Sequence, residues 1–182
     1  MPEPETPATV QPDPAALSAS NILSVLHEQN WLSGEPTPEI LAWCERAAAL
    51  LSHSAADRAA LTELLRLVFS YDAAQILQSP ESHAVVARIG AREVIRNIAL
   101  FLLDPAPLTT ERFKEIIEFL KTSVGLRSRD LFHPLRLALT GRAGEGDLDR
   151  VILLLDEAAT LPFAIPVKSA RTRILEFCAA FD

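Results

Sequence analysis

The sequence predicts an all-α fold, and three observations carry that prediction. Apolar residues recur at i, i+3, i+4 and i+7 in several segments, the spacing of one helix face. Helix starts are repeatedly spelled out, as Ser, Thr or Asp before proline or in a capping-box pattern. Leu and Ala are abundant, while runs of Val, Ile, Tyr and Thr that would build strands are scarce. A chain of 182 residues, 49% hydrophobic, can bury one core or two small lobes.

Residues 1–14 hold Pro2, Pro4, Pro7, Pro12 and Pro14 with Glu3, Glu5 and Asp13, and no apolar period. They read as a disordered acidic tail. Asp13-Pro14 suits the start of a first helix, whose stripe is Ile22, Val25, Leu26 and then Leu32. Ser33-Gly34-Glu35-Pro36 breaks it. Thr37-Pro38-Glu39 opens a second helix, running to about Leu51. Ser54-Ala55-Ala56-Asp57 reads as a capping box with Asp in the Glu place, ahead of Leu61, Leu64, Leu65 and Val68. A short helix is expected at 72–77. Ser79-Pro80-Glu81 starts another, which Gly90 is expected to end. Val94, Ile95, Ile98 and Leu102 define a sixth, stopped by Asp104-Pro105-Ala106-Pro107.

That turn divides the expected N-terminal lobe, 15–107, from a C-terminal lobe, 108–182. Thr109 or Thr110 caps a helix whose core face is Phe113, Ile116, Ile117 and Leu120, expected to pack against Leu135–Leu139. Gly125 suits the left-handed position after it. Pro134 is expected in the first turn of the next helix and Gly141 at its end. Asp147 opens a helix carrying Leu148, Val151, Ile152 and Leu155. The 161–166 stretch reads as an extended, largely buried connector. A final helix carries Ile174, Phe177, Cys178 and Phe181.

Several function classes find no support. No apolar run approaches the ~20 residues of a membrane span, and the N-terminus has no signal-peptide pattern. Cys44 and Cys178 fit no metal or redox spacing and read as reduced residues of a cytoplasmic protein. His27, His53, His83 and His133 are scattered, so no metal site is expected. Gly141, Gly144 and Gly146 follow no strand and precede no Gly-Lys-Ser/Thr, which makes them a loop rather than a phosphate cradle. No catalytic residue and no cofactor are expected.

The charge distribution is uneven. Lys121, Arg127, Arg129, Arg136 and Arg142 are opposed within 121–142 only by Asp130, giving +4 in a chain of net −7. Such a reversal suits an anion-binding face. Lys168, Arg171 and Arg173 form a second basic cluster. Trp31, Trp43 and Tyr71 read first as core residues and second as base-stacking ones.

Gly125-Leu126 and Leu131 through Gly141, a "GL....LFHPLRLALTG" pattern, resemble the signature near the C-terminus of bacterial glutamyl-tRNA synthetases. There it belongs to the helical anticodon-binding domain, a two-lobed cage. The helix order fits more loosely from about Ala56 to Leu161, and residues 1–30 do not match. The resemblance implies a non-catalytic module, because the synthetase's His-Ile-Gly-His-like and Lys-Met-Ser-Lys-Ser-like motifs are absent and its catalytic domain would not fit in this length. It implies tRNA or a tRNA-like stem-loop as partner and places Arg136 in the pocket that reads the anticodon. Arg127, Arg129, Arg142 and Lys121 would be phosphate contacts, and His133 either an RNA contact or a helix-start residue bonded to backbone. Two alternatives stay open: Arg136 as a structural arginine bonded to a carboxylate, and the whole chain as a protein-interaction scaffold that kept the cage without RNA.

Overall fold

The computed structural model describes residues 17–182; the proposed tail over 1–14 and the Asp13-Pro14 helix start lie outside the described residues. Ten α-helices and no strand fill the described part: α1 (Ala19–Glu28), α2 (Pro38–Leu51), α3 (Arg58–Phe69), α4 (Ala73–Leu77), α5 (Pro80–Val86), α6 (Ala91–Leu102), α7 (Thr110–Ser123), α8 (Ser128–Thr140), α9 (Asp147–Ala158) and α10 (Ala170–Phe181). The all-α prediction holds.

Side-chain caps account for most helix starts. Ser18, Thr37, Asp57, Asp72, Ser79, Thr109 and Ser169 each accept from the backbone N–H three residues on. Each satisfies a donor that the first turn would otherwise leave open. At Ser18 the box is reciprocal, since Asn21 Oδ1 accepts from the Ser18 N–H at 2.9 Å.

Four local expectations need correction. The α3 cap is Asp57, which accepts from Ala60 N at 2.8 Å, not Ser54. Ser54 still belongs to the turn that closes α2, bonding back to Leu51 O, and its hydroxyl accepts from Arg150. Gly90 does not end α5 but precedes α6, at φ +81°. A Cβ there would sit 2.5 Å from Leu126 Cδ1, so the α5–α6 turn presses directly on the α7–α8 turn. Pro134 lies well inside α8, because that helix starts six residues earlier at Ser128. The ring removes the bond to the Asp130 carbonyl, and Asp130 is exposed. In the 161–166 connector only Phe163 is buried, and Ile165 is 40% exposed.

Phe163 is drawn in by an aromatic cluster. Its ring meets Trp43 at 5.3 Å and Phe69 at 5.0 Å, and Trp31 stacks on Phe69 at 4.6 Å. Both tryptophans are therefore core residues. Phe113, Ile116, Ile117 and Leu120 are buried as expected, but α7 docks on α6 rather than on the Leu135–Leu139 face. The helix α8 as a whole packs against α6, α9 and α10, with α5 beside them. One cluster of buried residues runs through helices on both sides of the Asp104–Pro107 turn. The outcome for α8 is a helix sunk in the protein at its C-terminal half and open at its start.

Candidate nucleic-acid interface

From Pro134 to Thr140 every residue of α8 is buried, including Arg136. A charge can sit there only if it is paired and hydrogen-bonded. Arg136 donates to Asp149 through Nε (2.7 Å to Oδ1) and Nη2 (2.8 Å to Oδ2), and through Nη1 to Gly144 O at 2.9 Å. Its guanidinium also lies 4.7 Å from the Phe132 ring centroid. This fork joins α8 to α9 and to the loop between them. The residues after it complete the same corner. Thr140 Oγ1 donates to Arg136 O at 2.8 Å. Gly141 takes φ +84°, where a Cβ would come within 2.9 Å of Ile76. In this geometry Pro-Leu-Arg and Leu-Thr-Gly build a frame.

A second buried arginine escaped the sequence reading, which grouped it with Lys168 and Arg171. Arg173 is fully buried and has no carboxylate partner among the described residues. Nη1 donates to Leu67 O (2.8 Å) and Leu139 O (3.0 Å), Nη2 to Val68 O (2.6 Å), and Nε to Lys168 O (3.0 Å). Leu67 and Val68 end α3 and Leu139 ends α8, so one guanidinium closes the open carbonyls of two helices. Tyr71 lies under it at 4.7 Å and donates its hydroxyl to Ala138 O in the same α8 turn. Burial pushes the Arg173 pKa down to about 10, which still leaves it charged at neutral pH. The signal was present in the sequence: Ala170, Arg173, Ile174 and Phe177 share the i, i+3, i+4, i+7 face of α10, all buried. Arg112 does similar work, donating to Phe101 O and Ala106 O beyond α6, and Arg150 donates to Leu50 O at the end of α2.

The remaining candidates divide by position along α8. Arg142 lies past its C-terminal end and pairs with Glu63 of α3 at 3.1 Å, in an exposed bridge. Lys121 pairs with Glu118 at 2.6 Å. It lines an open cleft of about 730 Å³ with Arg127 and Phe132. Arg129 and His133 stand one turn apart on the exposed start of the helix. From Arg129 to Thr140 the helix rises about 16 Å. The structure thus gathers Lys121, Arg127, Arg129 and His133 at one end, places Arg136 inside, and puts Arg142 at the other end.

Arg88, from the α5–α6 turn, joins the open end. Its Nη1 lies 3.3 Å from His133 Nδ1. Partial burial lowers the His133 pKa, and Arg88, Arg129 and Arg136 lower it further against a smaller opposing effect of Glu145. The imidazole is therefore neutral at pH 7, and its Nδ1 accepts from Arg88. Among the described residues Arg88, Arg127 and Arg129 have no carboxylate within ion-pair distance. Arg88 lies outside 121–142, and only the fold brings it there. No group of three or more potential metal ligands occurs among the described residues, and burial pushes the Cys44 thiol up to about 11.

A helical domain with one end of a central helix locked inside and a rim of unpaired arginines at the other is the class that fold and site define. Comparison narrows it: the chain is similar to a part of bacterial glutamate–tRNA ligase. It is 32% identical over 146 residues to glutamate–tRNA ligase 2 of Brucella melitensis, covering 79% of this chain and 30% of that protein. The ligase of Exiguobacterium sibiricum is 27% identical over 139 residues, 76% of this chain and 28% of the relative, and glutamate–tRNA ligase 1 of Brucella canis is 32% identical over 143 residues, 79% and 30%. The chain thus spans under a third of the length of these relatives. The similarity reaches well beyond the signature in α8. No family model matches, and no solved structure does.

Proposed function

We propose that the chain is a non-catalytic, cytoplasmic RNA-binding module that takes tRNA or a tRNA-like stem-loop at the open end of α8. The observation that carries this reading is a coincidence of two findings. The relatives are named as ligases of tRNA, and the start of the helix that bears the matching motif exposes Arg127, its cap, and Arg129, without carboxylate partners among the described residues. RNA phosphates need cations of this kind, while stacked or splayed bases need an adjacent surface such as Phe132. In this reading Arg136 shapes the module through Asp149, and Arg127, Arg129 and His133 meet the ligand, with Lys121 shared between Glu118 and phosphate. A mobility-shift titration with total tRNA at ~50 mM salt and upward tests it; binding that weakens steeply with salt is the expected result. Absence of binding at the lowest salt would refute it.

One observation favours a second reading, a protein-interaction scaffold. Leu100, Leu103 and Phe119 on α6 and α7 are 66%, 47% and 47% exposed, on a chain of net −7. Exposed apolar side chains suit a protein partner better than RNA. If tRNA fails to bind, this face is the place to substitute next.

A further inference from the structure

The open end of α8 contains a more defined arrangement than a basic rim. The α5–α6 turn and the α7–α8 turn are held together where Leu126 fills the space a side chain on Gly90 would need. Arg88 is thereby fixed next to His133, and Arg129 stands one helical turn before His133 on the same strip of α8. Both arginines are exposed, and among the described residues neither has a carboxylate within ion-pair distance. The partner Arg88 does have is a neutral ring nitrogen, which satisfies one N–H but none of its charge. Two cations that both lie beside the His133 ring, with no carboxylate counter-ion among the described residues, form a place where an anion relieves repulsion as well as gaining hydrogen bonds.

We propose that Arg88, Arg129 and His133 form a binding site for a phosphate-class anion, which in the module's RNA-binding role is a backbone phosphodiester. The second half of that statement rests on the function proposed above; the first half does not. The phosphate takes the fork of Arg88 and a second fork from Arg129. His133 then changes its part. With an anion beside it, the ring takes a proton from solvent at Nδ1, stops accepting from Arg88 and becomes a donor to a phosphate oxygen. The charged groups facing this ring are Arg88, Arg129 and Arg136, with Glu145 as the opposing carboxylate. An open cleft of about 730 Å³, which Arg88 itself lines together with His83, Arg92, Glu93 and Arg96, leaves room for the rest of a strand. In that cleft Arg96 pairs with Asp182 and Arg92 lies over the Phe181 ring, and Arg88 is the arginine that bonds to His133.

The test follows the His133 ring by long-range 1H–15N spectra of the full chain, at constant ionic strength, with chloride replaced stepwise by inorganic phosphate. The expected result is an upward shift of the His133 titration midpoint by about one pH unit, the effect of a close opposite charge. Arg88→Gln and Arg129→Gln should each weaken phosphate and a tRNA stem-loop about tenfold, one charge-assisted contact, with unchanged melting temperature. A His133 ring that ignores phosphate, or an Arg88→Gln variant that binds phosphate as the wild type does, overturns the site. Stem-loop binding that survives Arg88→Gln undiminished overturns the assignment of the site to a backbone phosphodiester, while the RNA reading stands. Phosphate binding with no stem-loop binding supports the anion site and overturns the RNA reading.

Discussion

The two halves of α8 use the same residue for opposite ends. Toward its C-terminus, Arg136 and Arg173 are buried and hydrogen-bonded through all three guanidinium nitrogens. At its start, Arg127 and Arg129 are exposed and, among the described residues, without a carboxylate partner. Arginine supplies five donors and a charge that neutral pH does not remove. What decides its role is the acceptor the fold supplies. Asp149 converts Arg136 into a cross-link, the orphan carbonyls of α3 and α8 convert Arg173 into a double helix cap, and the open end leaves Arg129 exposed. A basic stretch of sequence therefore does not delimit a basic surface.

The largest expected effect of breaking this contrast is at Arg173. Arg173→Met keeps the bulk but leaves four carbonyls without their donor, and should cost about 4 kcal/mol of unfolding free energy, measured by urea titration. A loss under about 1 kcal/mol would mean water replaces the guanidinium readily. Next comes the Arg136–Asp149 fork. Arg136→Ala should cost about 3 kcal/mol, because it leaves a largely buried carboxylate uncompensated. Adding Asp149→Leu to Arg136→Met should recover much of that loss, since the unpaired charge is the costly part. If the double variant is as unstable as the sum of the singles, the fork is not the relevant coupling.

At the open end the signs reverse. Arg129→Ala should leave stability within about 0.5 kcal/mol of the wild type, as exposed positions do, and lower tRNA affinity about tenfold. The smallest effect is on pH dependence. His133 has a folded pKa below its ordinary 6.5, so the unfolded chain binds that proton more readily. Without an anion, stability is full above about pH 6.5 and falls as pH drops through that value toward the folded pKa. His133→Gln should flatten this slope in thermal melts between about pH 5 and 7, and an unchanged slope would place the titrating group elsewhere.

Most of the fold was legible in the sequence, and the candidate site much less so. Periodicity and caps such as Thr37 and Thr109 are local, and the helices formed where they pointed. The misreadings at Gly90 and Pro134 were local too, but tertiary packing decided them: Leu126 against Gly90, and a helix start at Ser128 ahead of the proline. Arg136 was found by resemblance, yet its partner Asp149 sits on another helix and no spacing rule names it. Arg88 belongs to the open end only because two turns meet in space. Arg173 was hidden because charge was weighed before helical face.

The central claim is that the start of α8 holds RNA phosphate while its end only frames the module. The salt dependence of tRNA-fragment affinity in wild type and Arg129→Ala, on one single-stranded loop substrate, tests it most directly. The predicted result is a log–log slope shallower by about 0.7 in the variant, the value of one phosphate contact on a single strand. Identical slopes in the two proteins would contradict it.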